Sequence, residues 1–122
     1  MKKFLLQRIN SFRFAFRGIY FFFKNEIHAQ IHLLAVFVTS IAAYLFHVST
    51  IELCLLLLCF ALVLAAEIIN SAIENLVDLI SPDIHPLAGK AKDLAAGAVL
   101  IAAIFAVFIA AIIFLPKILL LL

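Results

Sequence analysis

Charged residues are scarce in this sequence, and that scarcity limits the class of protein it can encode. Asp, Glu, Lys and Arg make up 13% of the 122 residues, whereas hydrophobic residues make up 68%. An ordinary soluble domain is about 25% charged, and a soluble fold this small leaves too much surface exposed to hide so much apolar material. We therefore expect the lipid bilayer to be the solvent of this protein.

The sequence also lacks the alternation of apolar and polar residues that is typical of a barrel strand, and long continuous apolar runs dominate instead. Backbone polar groups inside a bilayer must pair internally, so only helices or closed barrels cross it. We therefore predict an all-α membrane protein that forms a single domain over residues 1–122. The cations in the first 24 residues interrupt any apolar core of the length that a secretory signal peptide needs, so none is predicted.

Glycine and cysteine are too few to supply several common motifs. The three glycines, Gly18, Gly89 and Gly97, form neither a P-loop nor a dinucleotide-binding fingerprint. Any nucleotide would therefore have to be held without a glycine-rich loop. Cys54 and Cys59 lie five positions apart in an apolar run, so on a helix they point in different directions and cannot form a disulfide with each other.

Hydrophobic periodicity predicts four helices. The first, at about residues 3–24, is amphipathic and basic, which suits the surface of a membrane better than its interior. Three more, at about 28–46, 51–80 and 87–115, are apolar and long enough to cross a hydrocarbon core of about 30 Å. Pro116 is expected to mark the far end of the last helix.

The distribution of cations predicts the orientation of these helices. Six Lys and Arg side chains lie in the first 24 residues and two in the loop at 81–93, while the turn before residue 51 has none. Positive charge in short connecting segments tends to stay on the cytoplasmic side. We therefore expect the amino terminus and the 81–93 loop to face the cytoplasm from the inner membrane.

A line of polar residues near the end of the third helix is the main functional signal. At about 100° per residue, its members fall within one arc of about 100° on the helix surface. We call this line the polar stripe, and its members are Glu67, Asn70, Ser71, Glu74 and Asp78. A charge in hydrocarbon costs about 3 kcal/mol or more, so we expect the polar stripe to face one wetted cleft with protein walls.

The carboxylates of the polar stripe need positive partners. Lys90 and Lys92 are close in sequence, but an acidic excess remains. A hard divalent cation such as Mg²⁺ accepts carboxylate oxygens and keeps positions open for phosphate oxygens. This combination suits phosphoryl transfer, in which positioning and charge neutralisation supply most of the catalysis. Two alternatives remain open from the residues alone: the acids pair with lysines to fix helix packing, or they serve a small oligomeric transporter or membrane assembly subunit.

The segment EIINSAIENLVD at 67–78 resembles the signature of the small prokaryotic diacylglycerol kinase family, Glu-x-x-Asn-[Ser/Thr]-Ala-Ile-Glu-x-x-Val-Asp. The segments SFRFAFRGI, Asn25–Glu26 and HPLAGKAKDLAAGAV resemble, in order, its amino-terminal helix, its metal-site entry, and its second loop and helix. This resemblance covers nearly the whole chain. It implies an ATP- and Mg²⁺-dependent kinase that phosphorylates the primary hydroxyl of a membrane lipid alcohol, acts as a homotrimer with active sites at subunit contacts, and has no nucleic acid partner.

The resemblance also implies a role for individual residues. Glu67 would be the catalytic base that takes the proton from the lipid hydroxyl. Glu26 and Glu74 would hold the metal ion, and Asn70 and Asp78 would orient the acids. The nucleotide contacts that it implies are Arg8, Glu26, Glu74, Asp83, Ile84, His85, Lys92 and Asp93. The lipid contacts that it implies are Ser11, His28 and Glu67.

One position departs from the family pattern. By strict spacing from Asn25–Glu26, the arginine of the first helix that contacts nucleotide falls on Gln7, and we assign it to the neighbouring Arg8 instead. His28 and His32 lie one turn apart, at a metal-ligand spacing, but zinc would need more ligands than these. We interpret the two histidines as residues near the lipid headgroup.

The lipid alcohol has two candidates, since the family contains diacylglycerol and undecaprenol specificities. The segments HPLAGKAKDLAAGAV and IIFLPK resemble the undecaprenol kinase branch more closely. Both lipids present a primary hydroxyl at the membrane surface with apolar tails below it, so physical chemistry alone does not separate them. We expect undecaprenol to be the substrate.

Overall fold

The computed structural model describes residues 2–83 and 85–121, with side chains from residue 8 onward. This part of the chain forms four helices: α1 (Lys2–Asn25), α2 (Ile27–Leu45), α3 (Thr50–Ile80) and α4 (Pro86–Leu119). Of these, α2, α3 and α4 are long and apolar enough to cross a membrane. The prediction of an all-α protein with three spans and an additional amino-terminal helix is therefore confirmed.

The far end of α4 differs from the prediction. The helix does not stop at Pro116 but continues through it to Leu119. A proline in the last turn removes few backbone hydrogen bonds, and the backbone N–H of Leu120 still donates to the carbonyl of Pro116 at 3.2 Å. The last turn is also held to α3, because Lys117 Nζ lies 3.2 Å from a carboxylate oxygen of Glu52.

The connection between α2 and α3 is a tight turn with a complete helix cap. The hydroxyl of Ser49 accepts from the backbone N–H of Glu52 at 3.3 Å, and the Glu52 carboxylate accepts from the backbone N–H of Ser49 at 2.6 Å. This capping box satisfies two backbone donors at the start of α3. His47 makes the reversal with a φ of 49°, in the left-handed region that asparagine or glycine adopts more readily. The turn therefore fixes α3 antiparallel to α2.

The packed core lies at the same end of the bundle as this turn. Ala43, Leu56 and Ile113 form its buried centre, one from each spanning helix. The most extensive helix contact is between α3 and α4. Most other large apolar side chains are exposed, as expected for a surface that lipid chains cover. Both cysteines are free, with Cys59 buried and Cys54 exposed.

Helix α1 contacts both α2 and α3 and is anchored by one buried side chain, Phe22. Five of its aromatic residues, Phe12, Phe14, Phe16, Tyr20 and Phe21, are exposed, and two of these carry a cation above the ring. The Arg17 guanidinium lies 5.3 Å from the centre of the Phe21 ring, and Lys24 Nζ lies 5.7 Å from the centre of Tyr20. Exposed aromatic and basic side chains on one helix are typical of a membrane surface. This placement brings the end of α1 against the polar stripe of α3.

Candidate active site

Glu67 is the one buried charged side chain in the described part of the chain, with 6% of its surface exposed. Its Oε1 lies 2.9 Å from Nε2 of His32 on α2. Because a carboxylate only accepts hydrogen bonds, the Nε2–H of His32 is the donor. The alternative that Glu67 pairs with a lysine is therefore wrong. The contact joins α2 to α3.

An apolar cavity of about 220 Å³ lies between α2, α3 and α4, and His32 is one of its walls. On α3 the cavity follows the helix up to Val63 and Leu64, one turn before Glu67. Almost all of its other walls are apolar, with Thr39 as the exception. The polar end of this cavity is therefore at His32, beside the buried carboxylate. We call it the apolar cavity.

Asn70 and Glu74 form a second polar contact, one turn further along α3. The amide nitrogen of Asn70 donates to Oε1 of Glu74 at 2.8 Å. The amide oxygen of Asn70 is buried and has no hydrogen-bond partner among the described residues. Asn70 also lines a groove of about 600 Å³ between α3 and α4, whose walls include Ala91, Ala95 and Ala98. We call this feature the alanine groove.

A polar cleft of about 260 Å³ lies where α3 ends and α4 begins, and its walls include Asp78, Asp83, His85 and Lys92. Lys92 Nζ donates to Oδ1 of Asp78 at 2.8 Å, so pairing with a lysine holds for this acid. His85 caps α4, because its Nδ1 accepts from the backbone N–H of Leu87 at 3.2 Å. A lysine beside the positive end of a helix dipole favours an anionic ligand such as phosphate. We call this feature the loop cleft.

Glu26 occupies a third environment. It is the residue before α2 and makes no side-chain capping bond there. It lines a cavity of about 320 Å³ between α1 and α3, together with Ser71 and Asn75. No described contact or cavity joins Glu26 to Glu74, although Ser71 and Glu74 are neighbours on α3.

The expectation that the polar stripe faces one cleft is therefore wrong. Its members face different surroundings: Asn70 faces the alanine groove, Ser71 the cavity beside α1, and Asp78 the loop cleft. The physical reason is that α4 packs along one side of α3 and α1 along the other, which divides the face. The arc of polar residues itself is present on α3 as helical geometry predicts.

A metal ion would find few protein ligands here. The described residues contain no group of three or more His, Cys, Asp or Glu side chains that could hold one. A Mg²⁺ site needs no such group, because this ion usually binds one or two carboxylates and completes its octahedron with phosphate oxygens and water. The described donor set does not fit a structural zinc site, which needs four protein ligands.

The remaining residues that the sequence indicated are placed as follows. Arg8 and Ser11 lie on exposed positions of α1, and His28 is exposed at the start of α2. Asp93 is exposed on α4 and is not a wall of the loop cleft. Ile84 and the side chain of Gln7 lie outside the described residues.

His32 is the contact of Glu67 that the sequence reasoning missed, although a signal for it existed. Two antiparallel helices joined by a short turn place residues that are equally far from the turn at the same depth. His32 lies eleven residues before Ala43, and Glu67 lies eleven residues after Leu56. Since Ala43 and Leu56 are packed together in the core, this register could have paired the histidine with the glutamate.

Known proteins that are similar in sequence to this chain are kinases. Residues 13–114 match the family model described as prokaryotic diacylglycerol kinase. An undecaprenol kinase of Bacillus subtilis is 41% identical over 107 residues, which is 88% of this chain and 87% of the relative. A diacylglycerol kinase of Synechocystis sp. is 40% identical over 110 residues, covering 89% of this chain and 63% of the relative.

A diacylglycerol kinase of Escherichia coli K12 is 37% identical over 99 residues, covering 81% of this chain and 81% of the relative. The matched region includes the whole polar stripe and all three spanning helices up to residue 114. A multi-pass membrane setting follows from these helices. The chain therefore belongs to the prokaryotic diacylglycerol kinase family and is a lipid kinase.

Proposed function

We propose that this protein transfers the γ-phosphoryl group of ATP to the primary hydroxyl of undecaprenol in a reaction that requires Mg²⁺. The observation that carries the proposal is the position of Glu67, a buried carboxylate that contacts His32 at the polar end of the apolar cavity. A hydrocarbon chain in the apolar cavity would leave its terminal hydroxyl next to this carboxylate. A base that accepts the proton of a lipid hydroxyl needs a carboxylate close to an apolar site that holds the hydrocarbon chain.

In the proposed reaction Glu67 acts as the general base. The lipid oxygen attacks the γ-phosphorus as its proton passes to the carboxylate of Glu67. A bond forms between the lipid oxygen and phosphorus, and the bond between the γ-phosphorus and the bridging oxygen breaks, so ADP leaves. The products are the lipid monophosphate and ADP. Proton transfer by a positioned side chain contributes about 10²- to 10⁴-fold to such a rate.

The loop cleft supports a role in binding the nucleotide. Lys92 would contact phosphate oxygens, because its ammonium group lies in the cleft near the amino terminus of α4. Asp83 and His85 are walls of the same cleft. From the family resemblance, we also assign nucleotide contacts to five further residues: Arg8, Glu26, Glu74, Ile84 and Asp93.

We assign the Mg²⁺ site to Glu26 and Glu74. Bound there, the ion would neutralise charge on the phosphates of ATP. The hydrogen bond that Glu74 accepts from Asn70 would fix the orientation of that carboxylate. Asp78 would support Lys92 in the same way, through the 2.8 Å contact between them.

We also propose that the active form is a homotrimer. The alanine groove supports this, because small side chains allow another helix to approach closely. Asn70 lines the groove, and its enclosed amide oxygen has no partner among the described residues; a donor from a neighbouring subunit would satisfy this oxygen once the amide turns toward the groove. Active sites at subunit contacts would also bring together groups that one chain holds in separate cavities.

The distribution of cations supports an orientation in which the loop cleft faces the cytoplasm from the inner membrane. The cations of α1 and those at Lys90 and Lys92 lie at the end of the bundle where ATP would be required. By the positive-inside tendency these segments stay on the cytoplasmic side. Ser11 on α1 and His28 on α2 then lie on the same side of the membrane, where a lipid headgroup would contact them.

Undecaprenol is favoured over diacylglycerol by the likeness of the 85–99 and 112–117 segments to the undecaprenol kinase branch. The undecaprenol kinase of Bacillus subtilis also matches over 87% of its length, compared with 63% for the diacylglycerol kinase of Synechocystis sp.. The two identities differ too little to decide, so the choice depends on a direct comparison of the two lipids.

The test is transfer of ³²P from labelled ATP to undecaprenol or to diacylglycerol in mixed micelles, with and without Mg²⁺. We expect transfer only with Mg²⁺ and faster transfer to undecaprenol. Glu67→Gln should abolish turnover and leave ATP binding intact, while Glu52→Gln, on the same helix at the far end, should remain active. Absence of transfer to either lipid by the unaltered protein would refute the proposal and favour a transporter or an assembly subunit.

A further inference from the structure

We propose that His32 is a positioning residue for the reaction, which holds Glu67 in the orientation that accepts the lipid proton. The inference depends on the proposed function of Glu67 as the base. It starts from one contact: Nε2 of His32 donates to Oε1 of Glu67 at 2.9 Å, across the interface of α2 and α3. In the described chain this is the one side-chain hydrogen bond of Glu67.

The contact leaves the second carboxylate oxygen available. Among the described residues, Asn70 Oδ1 is the one enclosed side-chain atom with neither a partner nor solvent contact. Oε2 of Glu67 is therefore not sealed inside the protein, although the residue as a whole is buried. A histidine that holds Oε1 thus leaves Oε2 as the oxygen that can accept the proton of a hydroxyl. Small errors in the orientation of this carboxylate are costly, because a misplacement of about 1 Å can reduce a rate about 100-fold.

His32 also contacts the space where the hydrocarbon chain would lie, since its side chain is a wall of the apolar cavity. The side chain is 22% exposed, compared with 8% for that of Glu67, so His32 contacts both the cavity and the more deeply buried carboxylate. One residue would therefore fix both the base and the end of the lipid chain. This arrangement sets the distance between the hydroxyl and Oε2, which is what a proton transfer requires.

A structural role for the same pair gives different expectations. If the pair only joins α2 to α3, its loss lowers stability and leaves the kinetic constants of the folded protein unchanged. If His32 positions the base, kcat falls while KM for ATP stays the same, because the loop cleft is a separate feature. An amide at position 32 can still donate to Oε1 of Glu67, so a glutamine there should retain most of the kcat that a leucine loses.

The experiment compares His32→Leu, His32→Gln and a control, His47→Asn, in the mixed-micelle ³²P assay, after each variant has been shown to be folded by thermal unfolding. We expect His32→Leu to lower kcat by about 10- to 100-fold with KM for ATP unchanged. His32→Gln should recover most of the loss. His47→Asn, in the turn at the far end of the bundle, should match the unaltered protein.

Three results would overturn the inference: an unchanged kcat for His32→Leu, a glutamine variant as slow as the leucine variant, or a loss confined to KM for the lipid. An unaltered protein that transfers no phosphate would instead overturn the proposed function, and the inference with it. If Glu67→Gln is inactive and His32→Leu fully active, the proposed function stands and the inference alone is wrong.

Discussion

The unpaired amide oxygen of Asn70 allows a direct test of subunit association. The amide nitrogen must be the atom that faces Glu74, because an amide oxygen would be repelled by the carboxylate. The oxygen is enclosed and has no donor among the described residues, and because Asn70 lines the alanine groove, turning its amide toward the groove would expose this oxygen to a neighbouring subunit. Asn70→Leu keeps the branched shape and the number of non-hydrogen atoms of the side chain and removes both polar groups. We predict that it weakens the proposed trimer far more than it weakens a subunit.

The expected changes in free energy follow from the hydrogen bonds that the substitution removes and from the polar groups that are left unpaired. In an isolated subunit, loss of the bond to the charged Glu74 costs about 1.5–3 kcal/mol, and relief of the unpaired oxygen returns about 1–3 kcal/mol. These terms nearly cancel. In a trimer where a neighbouring subunit donates to Oδ1, both bonds are lost and the neighbour's donor is left unpaired, so the cost is about 3–6 kcal/mol per subunit.

The measurement is the equilibrium between trimer and monomer in detergent micelles, followed by analytical ultracentrifugation. A loss of about 3 kcal/mol or more per contact weakens association at least about 100-fold, which is easily observed. Asn75→Leu is the matched control. The amide of Asn75 donates to the carbonyl of Ser71 at 2.7 Å, and Asn75 does not line the alanine groove. Equal trimer stability for Asn70→Leu and the unaltered protein would refute the assignment of the groove as a subunit contact.

Three further predictions concern the ligands. Glu74→Gln should raise the Mg²⁺ concentration for half-maximal activity by about 10-fold or more, as loss of a metal ligand requires, and an unchanged Mg²⁺ titration would contradict its role. Lys92→Met should raise KM for ATP by about 10-fold, since it removes a charge-assisted phosphate contact; equal KM values would exclude that contact. Ala106→Phe should fill the apolar cavity and raise KM for the lipid by about 10-fold at constant KM for ATP, as expected for a filled ligand pocket, and an unchanged lipid KM would exclude the cavity as the lipid site.

The helices of this protein could be predicted from sequence because lipid imposes a simple rule. Every spanning segment has to be helical and apolar over its length, so the starts of α2, α3 and α4 fall within one residue of the expected positions. The end of α4 could not be predicted in this way. Its last turn is retained by contact between Lys117 and Glu52, which lie 65 positions apart in sequence, and local periodicity carries no information about such a contact.

The candidate site was predictable in part for a related reason. Helical geometry alone places the polar stripe on one side of α3, and it gives the correct order of acids along the helix. It cannot show which neighbouring helix covers each acid. The separation of Asn70, Ser71 and Asp78 into different cavities comes from the packing of α1 and α4 on α3, and the partner of Glu67 comes from the register of α2.

The two ends of the bundle are stabilised by different forces, and this difference bears on function. At the turn end, apolar packing around Leu56 and a complete helix cap hold α3 in place. At the other end the helices are joined by polar contacts, His32 with Glu67 and Lys92 with Asp78. Close apolar packing there would exclude substrates, whereas polar side chains can exchange their partners for a hydroxyl or a phosphate. Firm packing at the turn end would keep the acids of α3 at a fixed depth while the contacts around them change during the proposed reaction.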